Sequence, residues 1–415
     1  VPELDFGDRQ RSVFGGDMRD FFISIAVLGS LTTAALAAGG SIDSPACDLH
    51  ASDAKMAGAG CARLWFDTNL HINEIQTAGT AESYKLAPSA QMLSLIKMGS
   101  KEDADALNFA EPPIARQLDA NARSLEFDVA YDPKGGLFKY PAGASMVDEL
   151  IPDDYVATMS APGFKVIHVI DIDFHSSCLT LMSCLKPVAD WSRAHPTHVP
   201  IVIMLRSNDE RTPMPGATRP LKFDEAAFDA LDAEILSVFK PEELITPDKV
   251  QKDYPTLHEA LVAHGWPALG EARGKVLFAL DDTAKRVALY RGARRSLEGR
   301  VMFVNTEENS PVAAFVTVED PAQNSARVIA DVKAGLLVHT FADANAMEPR
   351  KSDTLRRDWA FASGAQIVST DFIYADKSIG SYEARLSNDH RAQCDVQLSP
   401  ERCAGLGVER GNDVP

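Results

Sequence analysis

Positive charge is in short supply in this chain. Forty-one lysines and arginines stand against 59 aspartates and glutamates, a formal net charge of -18. A surface of that sign repels the phosphate backbone of nucleic acids, which excludes duplex and single-strand binding. Anionic lipid is repelled as well, unless a metal ion or a local basic patch intervenes. Glycine-rich phosphate loops are also missing. Neither GxGxxG nor GxxxxGK follows any predicted strand, which counts against a nucleotide-binding sheet. Beyond residue 40 no apolar run is long enough to cross a bilayer. Cysteine is sparse, six in all, without the tight paired spacing of a zinc knuckle.

What is present begins with one membrane-like segment, FFISIAVLGSLTTAALAAGG over 21–40. A short apolar stretch ending in Ala35-Leu36-Ala37 reads as a secretory signal peptide over 18–37, starting at Met18. Residues 1–17 then read as a non-native upstream extension, and an uncleaved anchor is the alternative. Export to a periplasm or beyond the cell turns the even cysteine set into a disulfide framework. Neighbours in sequence suggest Cys47–Cys61, Cys178–Cys184 and Cys394–Cys403, with other pairings open. Residues 38–67 read as an irregular lead-in and 404–415 as a flexible tail.

Between them, 68–403 reads as one domain in which short apolar strands alternate with amphipathic helices. Strand candidates are 71–79, 122–132, 164–173, 199–209, 274–282 and 299–307, then the ends of 325–341 and 352–372. Helices are expected over 89–99, 112–122, 180–195, 223–239 with Asp224 as N-cap, and 256–265 stopped by glycine. Seven or eight parallel strands suit a closed α/β barrel, with an open doubly wound sheet as the rival. Barrel chemistry collects where strands end. That rule points to Glu82, Glu126, Asp128, His168, Arg206, Asp281, Asn305, Asp343 and Asp371.

Four blocks carry a family likeness: HINEIQTAGTAESYK, PPIARQLDANARSLEFDV, GFKVIHVIDIDFHSSC and RRDWAFASGAQIVSTDF. In this order and spacing, over roughly 68–400, they resemble the bacterial and fungal calcium-dependent phosphoinositide-specific phospholipase C family. The resemblance implies an irregular TIM (β/α)8 barrel and phosphodiester cleavage through a cyclic phosphate, with two histidines and one calcium ion. Where the family's first strand ends in Gly-Thr-His-Asn-Ser-Tyr, this chain has Gly79-Thr80-Ala81-Glu82-Ser83-Tyr84. Ala81 can neither accept nor donate a proton. The second histidine corresponds to His168, and the carboxylates of the second strand to Glu126 and Asp128. Arg206 stands where the family usually has a ligating glutamate.

Glu126 and Asp128 are two apart on a strand, so both face one side and suit a calcium ion. Glu82 completes the expected ligand set, or else pairs with Arg206 in place of the metal. His168 is the expected acid/base group, with a satisfied core histidine as the bland alternative. Glu82 and Arg206 join it as expected catalytic groups. Lys85, Arg123, Arg211 and Asp343 are expected to bind substrate, the arginines by gripping two phosphate oxygens at once. The expected function is a metal-dependent phosphodiesterase acting on phosphatidylinositol or a relative, with transient contact to a membrane surface. A catalytically inactive homologue that binds a phosphorylated polyol is the alternative, and a glycosidase using Glu82 and Glu126 ranks last.

Overall fold

The computed structural model describes residues 46–410. The expected signal peptide and the stretch before it lie outside the described residues, as do 411–415. Among the described residues there are twelve strands: β1 (Ile75–Thr80), β2 (Ser124–Ala130), β3 (Lys165–Val166), β4 (Ile201–Ser207), β5 (Leu244–Ile245), β6 (Val276–Leu280), β7 (Phe303–Val304), β8 (Phe315–Thr317), β9 (Leu337–Phe341), β10 (Ile367–Thr370), β11 (His390–Cys394) and β12 (Glu409–Arg410). Parallel pairing runs β6–β4–β2–β1–β10–β9–β8. β7 pairs with β6, and Asn305, just past β7, bridges Phe315 at the start of β8. That bridge closes a ring of β1, β2, β4, β6, β7, β8, β9 and β10. The barrel is irregular because β6 shares its outer edge between β5 at Val276–Leu277 and β7 at Ala279–Leu280.

The staves follow from their composition. Ile201–Leu205 of β4 is an unbroken apolar run, and every one of its side chains is buried. Such runs belong to strands covered on both faces, lumen and helix layer. Burying each large apolar side chain stabilises the fold by about 1.5–3 kcal/mol. The helix Glu225–Val238 packs outside, started by the Asp224 carboxylate, which accepts from the Ala227 amide at 2.8 Å. Its counterpart Leu181–Ala194 is capped by Thr180. Gly79 on β1 is required by close approach: a Cβ there would lie 2.2 Å from the Ser124 carbonyl oxygen of β2. Replacing it with alanine would push apart the two strands that carry the site.

Three expectations need correction. Residues 164–173 are not a stave: only Lys165–Val166 is extended, and it runs antiparallel to the end of β2. Asp171 breaks the run at a φ of 71°, its carboxylate accepting the amides of Ala142 and Thr218. Those side-chain bonds offer the backbone an alternative to a ladder. The missing stave is β8, three residues that the sequence patterns pass over. The lead-in contains a helix, Ala62–Asn69, and residues 404–410 are not a loose tail. β12 pairs with β11, which pairs with β1 at the N-terminal end of the barrel. The disulfides join Cys47–Cys61, Cys178–Cys184 and Cys394–Cys403, the sequence neighbours. Among the described residues no helix is long and apolar enough to cross a membrane.

Candidate active site

A cleft of about 690 Å³ opens where the strands end, lined among others by Ala81, Glu82, Asp128, His168, Arg206 and Asp281. The turn after β1 sets its first wall. Ser83 is stitched to β2, its amide donating to the Glu126 carbonyl (3.1 Å) and its hydroxyl accepting from the Glu126 amide (2.9 Å). Glu82 is thereby held in the left-handed region at φ 44°, a conformation that costs a non-glycine residue energy and gathers at functional sites.

His168 comes from the loop after β3 and stands between two carboxylates. Its Nε2 is 2.9 Å from Glu82 and its Nδ1 is 2.8 Å from Asp173. Burial alone would discharge this imidazole, but Glu82 and Asp173 prevail and hold its pKa well above the usual value. The two carboxylates favour its charged imidazolium form. Asp173 is wholly buried and accepts from Lys85 at 2.9 Å on the same oxygen. Lys85 also donates to the Leu107 carbonyl at 2.7 Å. Asp173 therefore orients the ring, whereas Asp171 serves the loop.

A second imidazole was invisible in the sequence patterns. His339 on β9 is completely buried, with Nε2 3.2 Å from Glu126 and Nδ1 3.4 Å from Asp281. It also meets Thr317 at 3.2 Å and Ser369 at 2.9 Å. Burial pushes its pKa down, the two carboxylates push harder, and it rises to about 9. The only available signal is its place in LLVHTF, at the end of an apolar run.

Arg206 and Asp128 are direct cross-strand partners on β4 and β2. The guanidinium lies 3.9 Å from Glu126, is 45% exposed, and donates no hydrogen bond among the described residues. Asp128 accepts instead from the Tyr84 hydroxyl at 2.8 Å. Burial raises its pKa, with Arg206 and His168 opposing.

The expected substrate binders fare differently. Asp343 lines the cleft, yet its oxygens are already engaged by the Thr370 and Tyr382 hydroxyls and the Asp371 amide. Burial lifts its pKa to about 6. Lys85 is a buried strut with no access to the cleft. Arg123 lies at the opposite end of the barrel, just before β2, and is sealed against Glu409. Arg211 is exposed on the loop after β4 and does not line the cleft. A cation that reads as surface in sequence is buried when a distant carboxylate meets it.

The sequence model of the family described as "Phosphoinositide phospholipase C, Ca2+-dependent" matches residues 70–396. The chain belongs to this family. Solved structures similar to it include a calcium-dependent phosphoinositol-specific phospholipase C from Pseudomonas sp., apo form with a myo-inositol complex. That protein is 16% identical, with 79% of this chain and 96% of the other covered and a TM-score of 0.47. Another is a Ca+2-dependent phosphatidylinositol-specific phospholipase C from Streptomyces antibioticus, 17% identical, covering 72% and 94%, TM-score 0.44. No curated protein matches the chain.

Family membership makes calcium the natural ion to test against Glu82, Glu126 and Asp128. Each of them is already engaged by a group of the chain. Glu82 is bound to His168, Asp128 to Tyr84, and Glu126 faces His339 and Arg206. Calcium takes 6–8 oxygen ligands. Among the described residues no group of three or more His, Cys, Asp or Glu side chains is disposed to hold a metal ion. The residues present do not fit a calcium site.

Proposed function

We propose that this chain is a weak phosphodiesterase of the phosphoinositide phospholipase C type, acting on phosphatidylinositol or a related diester. The observation that carries this reading is that His168, held between Glu82 and Asp173, and Arg206, with its donors unspent, line the same cleft of substrate size. Arg206 has donors to spare for a phosphoryl group, which a guanidinium can grip through two oxygens. The nucleophile is the substrate's own neighbouring hydroxyl, which attacks phosphorus and closes a cyclic phosphate. His168, with Asp173 fixing its Nδ1 side, gives the Nε2 proton to the departing alcohol oxygen once substrate takes the place of Glu82. Glu82, released from His168, takes the proton of the attacking hydroxyl as the new P–O bond forms and the bond to the departing alcohol breaks. Ala81 supplies no base, and the loss of one acid/base group costs about 10²–10⁴-fold in rate.

Export and contact with a membrane surface belong to the same proposal. Three disulfides suit an oxidising compartment. Exposed Leu86, Met146 and Leu150 lie in the connections that follow β1 and β2, on the mouth side of the barrel.

The test is release of phosphorylated headgroup from phosphatidylinositol vesicles, run beside a panel of soluble phosphodiesters. Wild type should turn over slowly, and His168→Ala should lose a further factor of about 10²–10⁴. Absence of turnover across the panel, with correctly folded protein, removes the hydrolase reading. Ala81 favours a second one, a binding protein that retains the phosphate-gripping mouth. Binding of inositol phosphate without turnover would support it.

A further inference from the structure

Besides Asp282, Glu319, Asp343 and Asp371, which also line the cleft, four carboxylates at the mouth face cations of the chain: Glu82, Glu126, Asp128 and Asp281. Left alone they would repel one another and call for a cation. Three positive side chains answer them from within the chain. His168 takes Glu82, His339 lies between Glu126 and Asp281, and Arg206 stands beside Asp128 and Glu126. Asp281 is further held by Asn305 at 2.9 Å. Of these four carboxylates, Glu82 Oε2 and Glu126 Oε1 are buried without a hydrogen bond, the latter 3.2 Å from His339 Nε2.

We propose that the Arg206 guanidinium is the resident cation of this mouth, filling the space between Glu126 and Asp128 and excluding divalent metal, so that phosphate is bound without calcium. Position supports this. Cross-strand pairing places Arg206 opposite Asp128, and the two-residue strand period puts Glu126 on the same side. A divalent ion brought to these carboxylates would sit within a few ångströms of the guanidinium and meet like charge. A guanidinium cannot be discharged in a protein, so it does not step aside by losing a proton. It can still turn outward, since nearly half of its surface faces the cleft.

The proposal rests on the reading of the cleft as a phosphate site, but its test needs no turnover. Thermal unfolding and calorimetric titration are followed with calcium alone, up to about 10 mM, above the weakest extracellular calcium modules. Wild type should show no shift and no heat of binding. Arg206→Glu removes the cation and adds a ligand, and its unfolding temperature should rise by about 2 °C or more with calcium. Arg206→Gln, which only removes the charge, stands in if the glutamate variant does not fold. Calcium binding by the wild type would overturn the proposal. So would a folded variant that gains no calcium response, because something other than Arg206 would then be keeping the metal out. Failure of catalysis would remove the hydrolase reading and leave this result untouched.

Discussion

Each end of the barrel holds a buried histidine and an arginine facing glutamate, and the two ends use them in opposite ways. At the N-terminal end Arg123 donates to both oxygens of Glu409, and also to the carbonyls of Leu118 and Ala122. It stacks over Trp191, 4.9 Å from the ring centre. Glu409 also accepts from the Val199 amide at 2.8 Å. Nothing in that pair is left for a ligand. At the mouth, Arg206 makes one loose contact at 3.9 Å and keeps its donors. The histidines diverge likewise. Burial drives the pKa of His198 down to about 4, whereas the carboxylates around His339 raise it to about 9. A satisfied pair closes the floor, and an unsatisfied one marks where a ligand can enter.

The largest effect should come from breaking the floor. Glu409→Ala leaves the Arg123 charge buried and unpaired, which costs about 3–5 kcal/mol. Denaturant unfolding measures it. A loss below about 1 kcal/mol would mean that β12 is peripheral, and the contrast between the two ends would fail.

The histidines give that contrast a pH signature. A group whose folded pKa is raised stabilises the fold below its unfolded value and loses that contribution as pH climbs through the folded one. His339 therefore contributes fully below about pH 6.5, with the contribution gone above about 9. Its shift corresponds to about 3 kcal/mol. His198 is the reverse: the unfolded chain takes up its proton first, so stability falls as pH drops from about 6.5 towards 4. Stability against pH should slope down on both sides. His339→Gln should lessen the alkaline slope alone, leaving the share that His168 contributes, and an unchanged alkaline slope would show that His339 is not charged in the fold.

Much of this was legible before any coordinates. Unbroken apolar runs announced β4 and β6, and alternation announced β2, because burial leaves those patterns in composition. The Gly79–Tyr84 turn carried the family likeness, and adjacent cysteines paired as neighbours. What stayed hidden depended on partners far away in the chain. Arg123 meets Glu409 across 286 positions, and no local pattern tells such an arginine from an exposed one. His339 sits in a strand whose apolar run masks the carboxylates arriving from β2 and β6. β8 is three residues long, shorter than any periodicity can register. The stretch 164–173 failed for the opposite reason: its apolar alternation is real, but Asp171 turns the chain before a stave can form.

The smallest effect is the most discriminating, because it separates the arginines by what their removal does not do. Arg206→Ala should change stability by under about 1 kcal/mol, since a loose, half-exposed ion contact contributes little. Part of even that loss is offset, because the freed carboxylates keep partners, Glu126 with His339 and Asp128 with Tyr84. The same variant should lose most of its affinity for inositol 1-phosphate, measured by calorimetry with calcium chelated. A destabilisation as large as that of Glu409→Ala would place Arg206 in the same structural class as Arg123. The mouth would then be a second sealed floor, and the case for a ligand at that end would collapse.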